Sequence, residues 1–545
     1  MGRSAGTRFK TGMSAGGPAA VAALVLTAAG CTSFSEWVHN GFKVGPNFHE
    51  PSAAVSSDWI DAADPRIARN PAEDGAWWRV LNDPALTSLI ESAYRQNLDL
   101  KTAGTRVLQA RAQRNISAGN LFPQTQNLIG DYAHVQISKN LNVLGNPQVG
   151  LPTNLDVWAT GLNASWELDF WGRIRRNIES SSAELSASVE GYHDALVTLV
   201  ADVATNYVQI RTYQQRIAYA RRNVEIQRGS LRLAEARLKA GKGTSLDVKQ
   251  ARSSLGQTES FIPPLVIGLR QANDRLCVLL GQSPQDVTLS LHEAPIPTTP
   301  AEVAVGIPAD LLQRRPDVRR ALHEAAAQSA QIGVAEADFY PAIGVTGFIG
   351  YTADDLRHLF AESSFTGLIL PNFQWKILNY GRILNNVRGQ DAHFQEKVLE
   401  YQQTVLSAGR EVEDALVGFL QYQLQARSLA DSVNEAEGAV QLVQAQYQGG
   451  LVDFNRVFTT QSQLVAVEDQ LATARGSIVL SLISAYRALG GGWQFFENNA
   501  AEGACAPAAT QPSGPVAPPG TSDRSVEMNR AILSVTGDGS PADGK

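Results

Sequence analysis

Two long stretches of the sequence carry an apolar residue at every seventh position. They cover residues 196–238 and 405–447, and shorter runs with the same period follow at residues 248–276 and 457–478. A seven-residue repeat held this long predicts helices that supercoil around neighbouring helices. Each long run and the shorter run after it therefore form one predicted unit.

Glycine-containing segments separate the long runs from the shorter ones. They are Gly241–Thr244 in the first half of the chain and Gly449–Asp453 in the second half. Adjacent glycines suit a helix stop followed by a turn, so each half is predicted to contain a long antiparallel helical hairpin. Pro263 and Pro264 are expected to interrupt and bend the first returning helix, because proline removes backbone donors.

A two-residue period replaces the helical period between the helices. Even-numbered residues from Trp158 to Phe170 are mostly apolar or aromatic, whereas the odd-numbered residues become polar, which predicts a strand. A preceding strand is predicted to present Ile129, Ala133 and Val135 on its apolar face. The second half repeats the pattern in residues 343–351 and 365–377, where Pro371 suggests a bulge.

Four such strands suit a membrane β-barrel, in which apolar residues face lipid and polar residues face the lumen. A water-soluble β-layer is the alternative on the pattern alone. Four strands cannot close a barrel by themselves, because known single-chain barrels have at least eight. If the strands span a membrane, other copies of the chain must complete the barrel, which predicts a homo-oligomer.

The two halves of the chain are copies of each other. The first part of each copy aligns at an offset of 218 residues and the rest at an offset of 209, because the first copy has nine extra residues between Pro123 and Trp166. Matching pairs include Asp99/Asp317, Pro123/Pro341, Trp166/Trp375, Tyr192/Tyr401 and Leu280/Leu489. The chain is therefore predicted to be a tandem duplication.

These patterns predict five regions. Residues 1–30 form a signal peptide, 31–75 an extended N-terminal segment, and 76–290 the first repeat, with a β-hairpin at about 124–170 and a helical hairpin at about 180–281. Residues 291–495 form the second repeat, with a β-hairpin at about 342–378 and a helical hairpin at about 389–490. Residues 496–545, rich in Ala, Pro, Gly and Ser, are predicted to be a disordered tail.

The N-terminus predicts export. Arg3, Arg8 and Lys10 precede an apolar run that ends in Ala-Ala-Gly before Cys31. This ending resembles the bacterial lipobox, which implies lipid attachment at Cys31; a signal peptide followed by an incidental cysteine is the alternative. Thr32 is not the Asp that commonly retains lipoproteins at the inner membrane, so the outer membrane is expected. No later stretch is long and apolar enough for a transmembrane helix.

Composition narrows the possible functions. The chain has 46 Lys and Arg against 53 Asp and Glu, a net charge of −7 that argues against nucleic-acid binding. Cys31, Cys277 and Cys505 are far apart, and the eight histidines form no cluster with metal-ligand spacing. No cofactor is predicted, and no nucleophile with a nearby base indicates an enzyme.

Three motifs resemble the TolC-like outer-membrane efflux proteins, in particular their NodT/OprM-like lipoprotein branch. Val44–Pro51 is similar to the branch's VGPxYxxP segment, and residues 77–100 to its WW…DPxLxxL…NxDL run. Leu311–Val318 matches LLxRRPDV, the most specific of the three. Leu322 departs from the Glu that usually follows, which affects only a local contact.

The resemblance implies a homotrimer with a 12-stranded outer-membrane β-barrel, four strands per chain, continued by a long periplasmic α-helical coiled-coil barrel. It implies passive transport of small toxic compounds, with a periplasmic membrane-fusion adaptor protein, an inner-membrane RND-type pump and outer-membrane lipid as partners. The adaptor-docking tips would contain Gly241, Lys242, Gly243, Thr244, Gly450, Leu451 and Val452, and Asp453 would line the periplasmic aperture. The alternative for each tip residue is that it only turns the chain.

The same sequence features fit two other functions. A duct for polypeptides in a type I secretion system would use the same fold, although the lipobox and the VGP segment favour efflux. A periplasmic coiled-coil scaffold is a second alternative, which the aromatic strand faces argue against.

Overall fold

Two pairs of long helices follow the two β-hairpins of the chain. The computed structural model describes residues 34–68, 74–136, 154–286 and 294–497. In chain order the helices are α1 (Phe34–His39), α2 (Pro84–Gln96), α3 (Leu98–Gly119), α4 (Arg173–Lys239), α5 (Ser245–Leu279), α6 (Leu311–Arg314), α7 (Pro316–Ala337), α8 (Arg382–Gly449) and α9 (Phe454–Ala488). Short 3₁₀ segments occupy Asp74–Leu81, Pro308–Asp310, Leu356–His358 and Glu362–Ser364.

The helix lengths repeat between the two halves. Helices α3 and α7 each have 22 residues, α4 and α8 have 67 and 68, and α5 and α9 each have 35. At 1.5 Å per residue, α4 and α8 are each about 100 Å long. The equal lengths agree with the duplication read from the sequence.

The strands are β1 (Ile67–Ala68), β2 (Thr125–Gln136), β3 (Asn154–Leu168), β4 (Val303–Ala304), β5 (Ala342–Ala353) and β6 (Phe365–Gln374). Strands β1 and β4 form a short parallel pair, and the other four form an antiparallel sheet in the order β2-β3-β5-β6. Both predicted β-hairpins are therefore present, and β3 and β5 join them side by side.

One face of the four-stranded sheet is apolar and exposed. Leu162 of β3 lies between Leu128 of β2 and Ile349 of β5. The exposed side chains on this apolar face are Leu128, Tyr132, Leu162, Trp166, Ile349, Phe365, Ile369 and Phe373. The opposite face mixes apolar residues with polar ones, among them Asn127, Asp131, Asn163, Thr346 and Asn372.

The prediction for the face of β2 was wrong. Ile129, Ala133 and Val135 lie on the mixed face, because Ile129 pairs with Gly161 and Val135 with Leu155. The residues that join the apolar face are Leu128 and Tyr132. Tyr132 pairs with Trp158, and the centroids of the two rings lie 4.4 Å apart.

Two expectations based on proline were also wrong. The pairing of β5 with β6 passes Pro371 without a bulge, with Val345 directly opposite. Helix α5 continues through Pro263 and Pro264, so these prolines do not interrupt it, and the predicted bend stays a prediction. The next residue, Leu265, is buried, so packing on this side of α5 supports the helix where backbone hydrogen bonds are lost.

The chain divides into two structural units. The first contains the described parts of residues 1–50, 112–183 and 325–397, including the four-stranded sheet; the second contains the described parts of residues 51–111, 184–324 and 398–545. The main core of the second unit is built around large buried side chains such as Trp78, Tyr207 and Phe419.

Arg315 gives the LLQRRPDV segment a structural role in this core. Its guanidinium donates to both carboxylate oxygens of Asp317 at 2.9 and 2.7 Å, to Glu411 at 2.9 Å, and to the carbonyl oxygen of Ala488 at 2.8 Å. Burial opposes the charge of Arg315, but these two carboxylates raise its pKa overall. The segment therefore joins α7 to the C-terminal end of α9 and to α8.

Candidate functional site at the hairpin tips

The first hairpin tip is a tight turn closed at both ends by hydrogen bonds. Gly241 has a φ of +67°, and the amide of Lys242 donates to the carbonyl of Arg237 at 2.9 Å, which ends α4 in the manner of a Schellman motif. Thr244 then caps α5, because its hydroxyl accepts from the amide of Asp247 while the Asp247 carboxylate accepts from the amide of Thr244. The four predicted residues Gly241, Lys242, Gly243 and Thr244 thus form one turn.

The second hairpin tip has a similar backbone and a more apolar surface. Gly450 has a φ of +80°, and the amide of Leu451 donates to the carbonyl of Gln446 at 2.9 Å. Asp453 caps α9 by accepting from the amide of Arg456 at 3.1 Å. The side chain of Leu451 is 79% exposed, whereas Val452 packs partly against the apolar residues beneath the tip.

Arg237 joins the two tips. Its guanidinium donates to the carbonyl of Lys242 in its own turn at 3.1 Å, and to the carbonyls of Tyr447 and Gln448 in the other hairpin, at 3.0 Å for Gln448. The same guanidinium lies 4.7 Å from the centre of the Tyr447 ring, within the range of a cation–π interaction. One side chain thus fixes the end of α4 against the end of α8.

Tyr447 makes a second connection between the hairpins. Its hydroxyl donates to Oδ2 of Asp247 at 3.2 Å, so the residue that closes the cap of α5 also receives a bond from α8. Burial raises the pKa of Tyr447 to about 12, and the negative charge of Asp247 adds to the rise. Tyr447 therefore remains a hydrogen-bond donor at all physiological pH values. We call Arg237, Tyr447 and Asp247 the tip clamp.

An apolar cluster lies beneath the tip clamp. It is formed by buried side chains from all four long helices: Ala234, Val248, Ala251, Val443, Tyr447, Phe454 and Val457. The rings of Tyr447 and Phe454 meet edge to face, with centroids 5.4 Å apart. Val248, Tyr447 and Val457 of this cluster occupy heptad positions, so the apolar heptad pattern at these positions reflects this packing.

Charged contacts tie the same helices together farther along α4. Arg216 donates to both carboxylate oxygens of Asp469 at 2.7 and 3.0 Å. The fully buried carboxylate of Glu468 accepts from Arg222 at 2.5 Å and from Asn223. Burial raises the pKa of Glu468, and these two donors limit the rise. The polar contacts therefore join the first repeat to the second well beyond the tips.

The sequence located the two turns but missed the tip clamp. Tyr447 occupies an apolar heptad position, and that pattern gives no sign of the role of its hydroxyl. Arg237 and Asp247 lie in helices on either side of the first turn. The only local signal was the Thr-x-x-Asp spacing of Thr244 and Asp247, which is typical of a capping box. Cys31 and residues 498–545 of the predicted tail lie outside the described residues. The predicted start of the disordered tail at residue 496 was wrong, because Phe496 is buried in the main core of the second unit and its ring stacks on that of Tyr94 with centroids 4.2 Å apart.

Other candidate chemistry is sparse in the part of the chain that the structure describes. No group of three or more His, Cys, Asp or Glu side chains there is arranged to hold a metal ion. Cys277 is a free and fully buried thiol, in agreement with its apolar sequence neighbours. No described helix has both the length and the apolar character needed to cross a lipid bilayer.

Comparison with known proteins gives consistent matches over most of the chain. The model of the family described as outer membrane efflux protein matches residues 89–282 and 307–491. The cation efflux system protein CusC of Escherichia coli O6:H1 is 30% identical, with 83% of this chain and 96% of that protein covered. The toluene efflux pump outer membrane protein TtgF of Pseudomonas putida is 28% identical, with 83% and 95% covered.

A solved structure of the outer-membrane channel OprN is similar to this fold. It has a TM-score of 0.78 and 31% sequence identity, and the match covers 83% of this chain and 99% of that one. The comparisons confirm the predicted fold class, a tandem-duplicated TolC-like protomer with four strands and long helical hairpins. They also confirm the predicted location in the Gram-negative outer membrane and a channel function instead of an enzymatic one. The chain belongs to the outer membrane efflux protein family.

Proposed function

We propose that three copies of this chain form the outer-membrane duct of a tripartite efflux system. The duct would carry small toxic compounds from a periplasmic adaptor and an inner-membrane RND-type pump to the outside. Family membership and the relatives named for toluene and cation efflux support this proposal. The observation that carries it is the apolar face of the sheet.

The apolar face has the pattern expected of a lipid-facing surface. Trp158 and Trp166 stand eight residues apart on β3, which is about 26 Å along a strand and about 20 Å of height at the strand tilt typical of transmembrane barrels. Aliphatic Leu128, Leu162 and Ile349 lie between these levels. Transmembrane barrels show an apolar band about 25 Å tall between two aromatic girdles. A sheet that packed against a protein core would bury these side chains, yet most of them are exposed.

The strand count requires more than one copy of the chain, and the likeness to TolC-like channels favours three. Strands β2 and β6 are the two edges of the described sheet, and unpaired backbone groups in lipid cost several kcal/mol each. Three chains would supply twelve strands and leave no edge. Native mass spectrometry in mild detergent should give about three times the mass of the lipidated chain, and a stable monomer extracted from the membrane would contradict this reasoning.

We further propose that the hairpin tips hold the duct closed and receive the adaptor. The tip clamp fixes the two hairpins of each chain together, and exposed Leu451 suits a protein contact. The docking surface would contain Gly241, Lys242, Gly243, Thr244, Gly450, Leu451 and Val452. Three copies of Asp453 would form a negatively charged ring at the periplasmic aperture.

A deletion strain tests the transport function. Loss of the gene should increase sensitivity to toluene, to transition-metal cations or to antibiotics, and the unaltered gene should restore resistance. If resistance is unchanged and a polypeptide instead disappears from the culture medium, the chain serves type I secretion and the efflux proposal fails.

We also propose that Cys31 carries a lipid anchor after removal of residues 1–30. The lipobox-like residues before Cys31 and the likeness to the lipoprotein branch support this. The anchored segment would then lead into α1.

A further inference from the structure

An aromatic cluster surrounds α1 near the end of β3. The ring of Trp37 lies 4.9 Å from that of Phe42, 5.3 Å from that of Phe170 and 5.5 Å from that of Trp171. Trp37 is buried inside this cluster, but Val38, Phe42 and Phe170 are 41%, 49% and 47% exposed. We call these five residues the aromatic collar. Its surface presents apolar side chains that are exposed among the residues that the structure describes.

The backbone is strained where it presents Phe42. Gly41 and Phe42 have φ values of +65° and +62°, and the left-handed conformation is rare for a bulky residue. Arg175 holds the turn by donating to the carbonyls of Gly41 and Phe42 at 2.6 and 2.9 Å. Arg175 is itself fixed by an ion pair with Asp169 at 2.9 Å. Strain of this kind persists where the surroundings impose it, and it often accompanies function.

The segment after the strained turn is fixed to the start of α4. Arg176 donates to the carbonyls of Val44 and Gly45 at 2.9 and 2.7 Å, and Lys43 pairs with Glu179. Burial alone would raise the pKa of Glu179, but Lys43 and Arg176 lower it overall. The collar is therefore attached rigidly, and its exposed side chains do not belong to a loose terminus.

We propose that the aromatic collar inserts into the headgroup region of the phospholipid leaflet that faces the periplasm. Phe170 lies two residues beyond Leu168, the last residue of β3, so the collar begins next to the end of the surface already assigned to lipid. Cys31 lies three residues before Phe34, the first residue of α1, and three residues span at most about 11 Å. A lipid on Cys31 would hold α1 beside the same leaflet.

Aromatic side chains suit this depth, because their rings combine apolar area with a preference for the membrane interface. The collar would act as an interfacial anchor beside the lipid on Cys31, at the periplasmic end of the barrel. It would also fix the level of the barrel in the bilayer. This inference rests on the proposed function, because it needs the apolar face of the sheet to contact lipid.

Spin labels at single cysteines test the depth of the collar. Val38→Cys and Phe42→Cys would be labelled in the full-length trimer, with Cys505→Ser as background and buried Cys277 left in place. The trimer would be reconstituted in phosphatidylethanolamine and phosphatidylglycerol vesicles. Glu50→Cys, exposed in the same N-terminal segment, is the matched control, and Leu162→Cys reports on the apolar face.

Power saturation would compare collisions with oxygen, which concentrates in lipid, and with a water-soluble nickel complex. We expect the oxygen-to-nickel ratio to be several-fold higher at positions 38 and 42 than at Glu50. If positions 38 and 42 contact water as Glu50 does, or are shielded from both reagents by a neighbouring subunit, the collar is not a lipid anchor. If the label at Leu162 also contacts water, the proposed duct fails together with the collar.

Discussion

Arg237 provides the strongest test of the tip clamp. Arg237→Gln removes the positive charge while retaining a polar side chain that can still make one hydrogen bond. The change would remove most of the hydrogen bonds to the carbonyls of Lys242, Tyr447 and Gln448. It would also remove the cation–π interaction, in which the guanidinium lies 4.7 Å from the centre of the Tyr447 ring.

The expected size of the effect follows from these contacts. Hydrogen bonds from charged groups contribute about 1.5–3 kcal/mol when buried, but Arg237 is only partly buried, so we take about 1 kcal/mol for each of the two bonds between the hairpins. The cation–π interaction adds about 0.5–1 kcal/mol. One remaining bond from Gln offsets part of the loss, which leaves about 2 kcal/mol, or about a 30-fold shift in the closed-to-open ratio of the duct.

Single-channel recording in planar bilayers measures that ratio directly. Arg232→Gln is the matched control, because Arg232 is an exposed arginine on the same helix and its replacement removes the same charge. Tyr447→Phe should give a smaller increase, about fivefold, since it removes only the hydrogen bond to Asp247. If Arg237→Gln opens the trimer no more than Arg232→Gln does, the tip clamp does not hold the duct closed.

Three further outcomes can be measured. Cys31→Ser should abolish incorporation of a radioactive fatty acid, and persistent labelling would contradict lipid attachment at this residue. Leu451→Asp should weaken capture of the adaptor while leaving conductance unchanged. Asp453→Asn keeps the helix cap but removes its charge, so it should alter cation selectivity and leave adaptor capture intact. If neither variant changes either measurement, the tip only turns the chain. Raising the pH from about 10 to about 12 should increase the open fraction of the duct. The hydrogen bond from neutral Tyr447 to Asp247 is fully present below the ordinary tyrosine pKa of about 10, and it is lost as the pH passes the raised pKa of about 12. Tyr447→Phe should lack this rise.

The helical hairpins were predictable because their signals are local. A heptad stripe identifies the buried side of each helix even when the position of the partner helix is unknown, and the turn glycines mark the ends of α4 and α8. Gly241 and Gly450 do adopt the positive φ that favours glycine. The four strands were predictable for a similar reason, because alternation within one strand needs no knowledge of its neighbours.

Features that depend on distant partners were not predictable. In β2 both faces carry apolar residues, such as Leu128 on one and Ile129 on the other, so only the pairing with β3 decides which face is continuous. The tip clamp joins residues about 200 positions apart in the sequence. The continuity of α5 at Pro263 likewise depends on surrounding packing, of which the sequence gives no direct sign.

The equal helix lengths of the two halves limit how this chain can evolve. Deleting one residue within α4 would rotate every later side chain by about 100° around the helix axis, and the whole apolar stripe would turn away from its partners. An insertion between β2 and β3 has no such effect on the helices, and the first copy does carry its extra residues between Pro123 and Trp166. Substitutions can therefore accumulate along the helices while changes of length are confined to the connections between the strands.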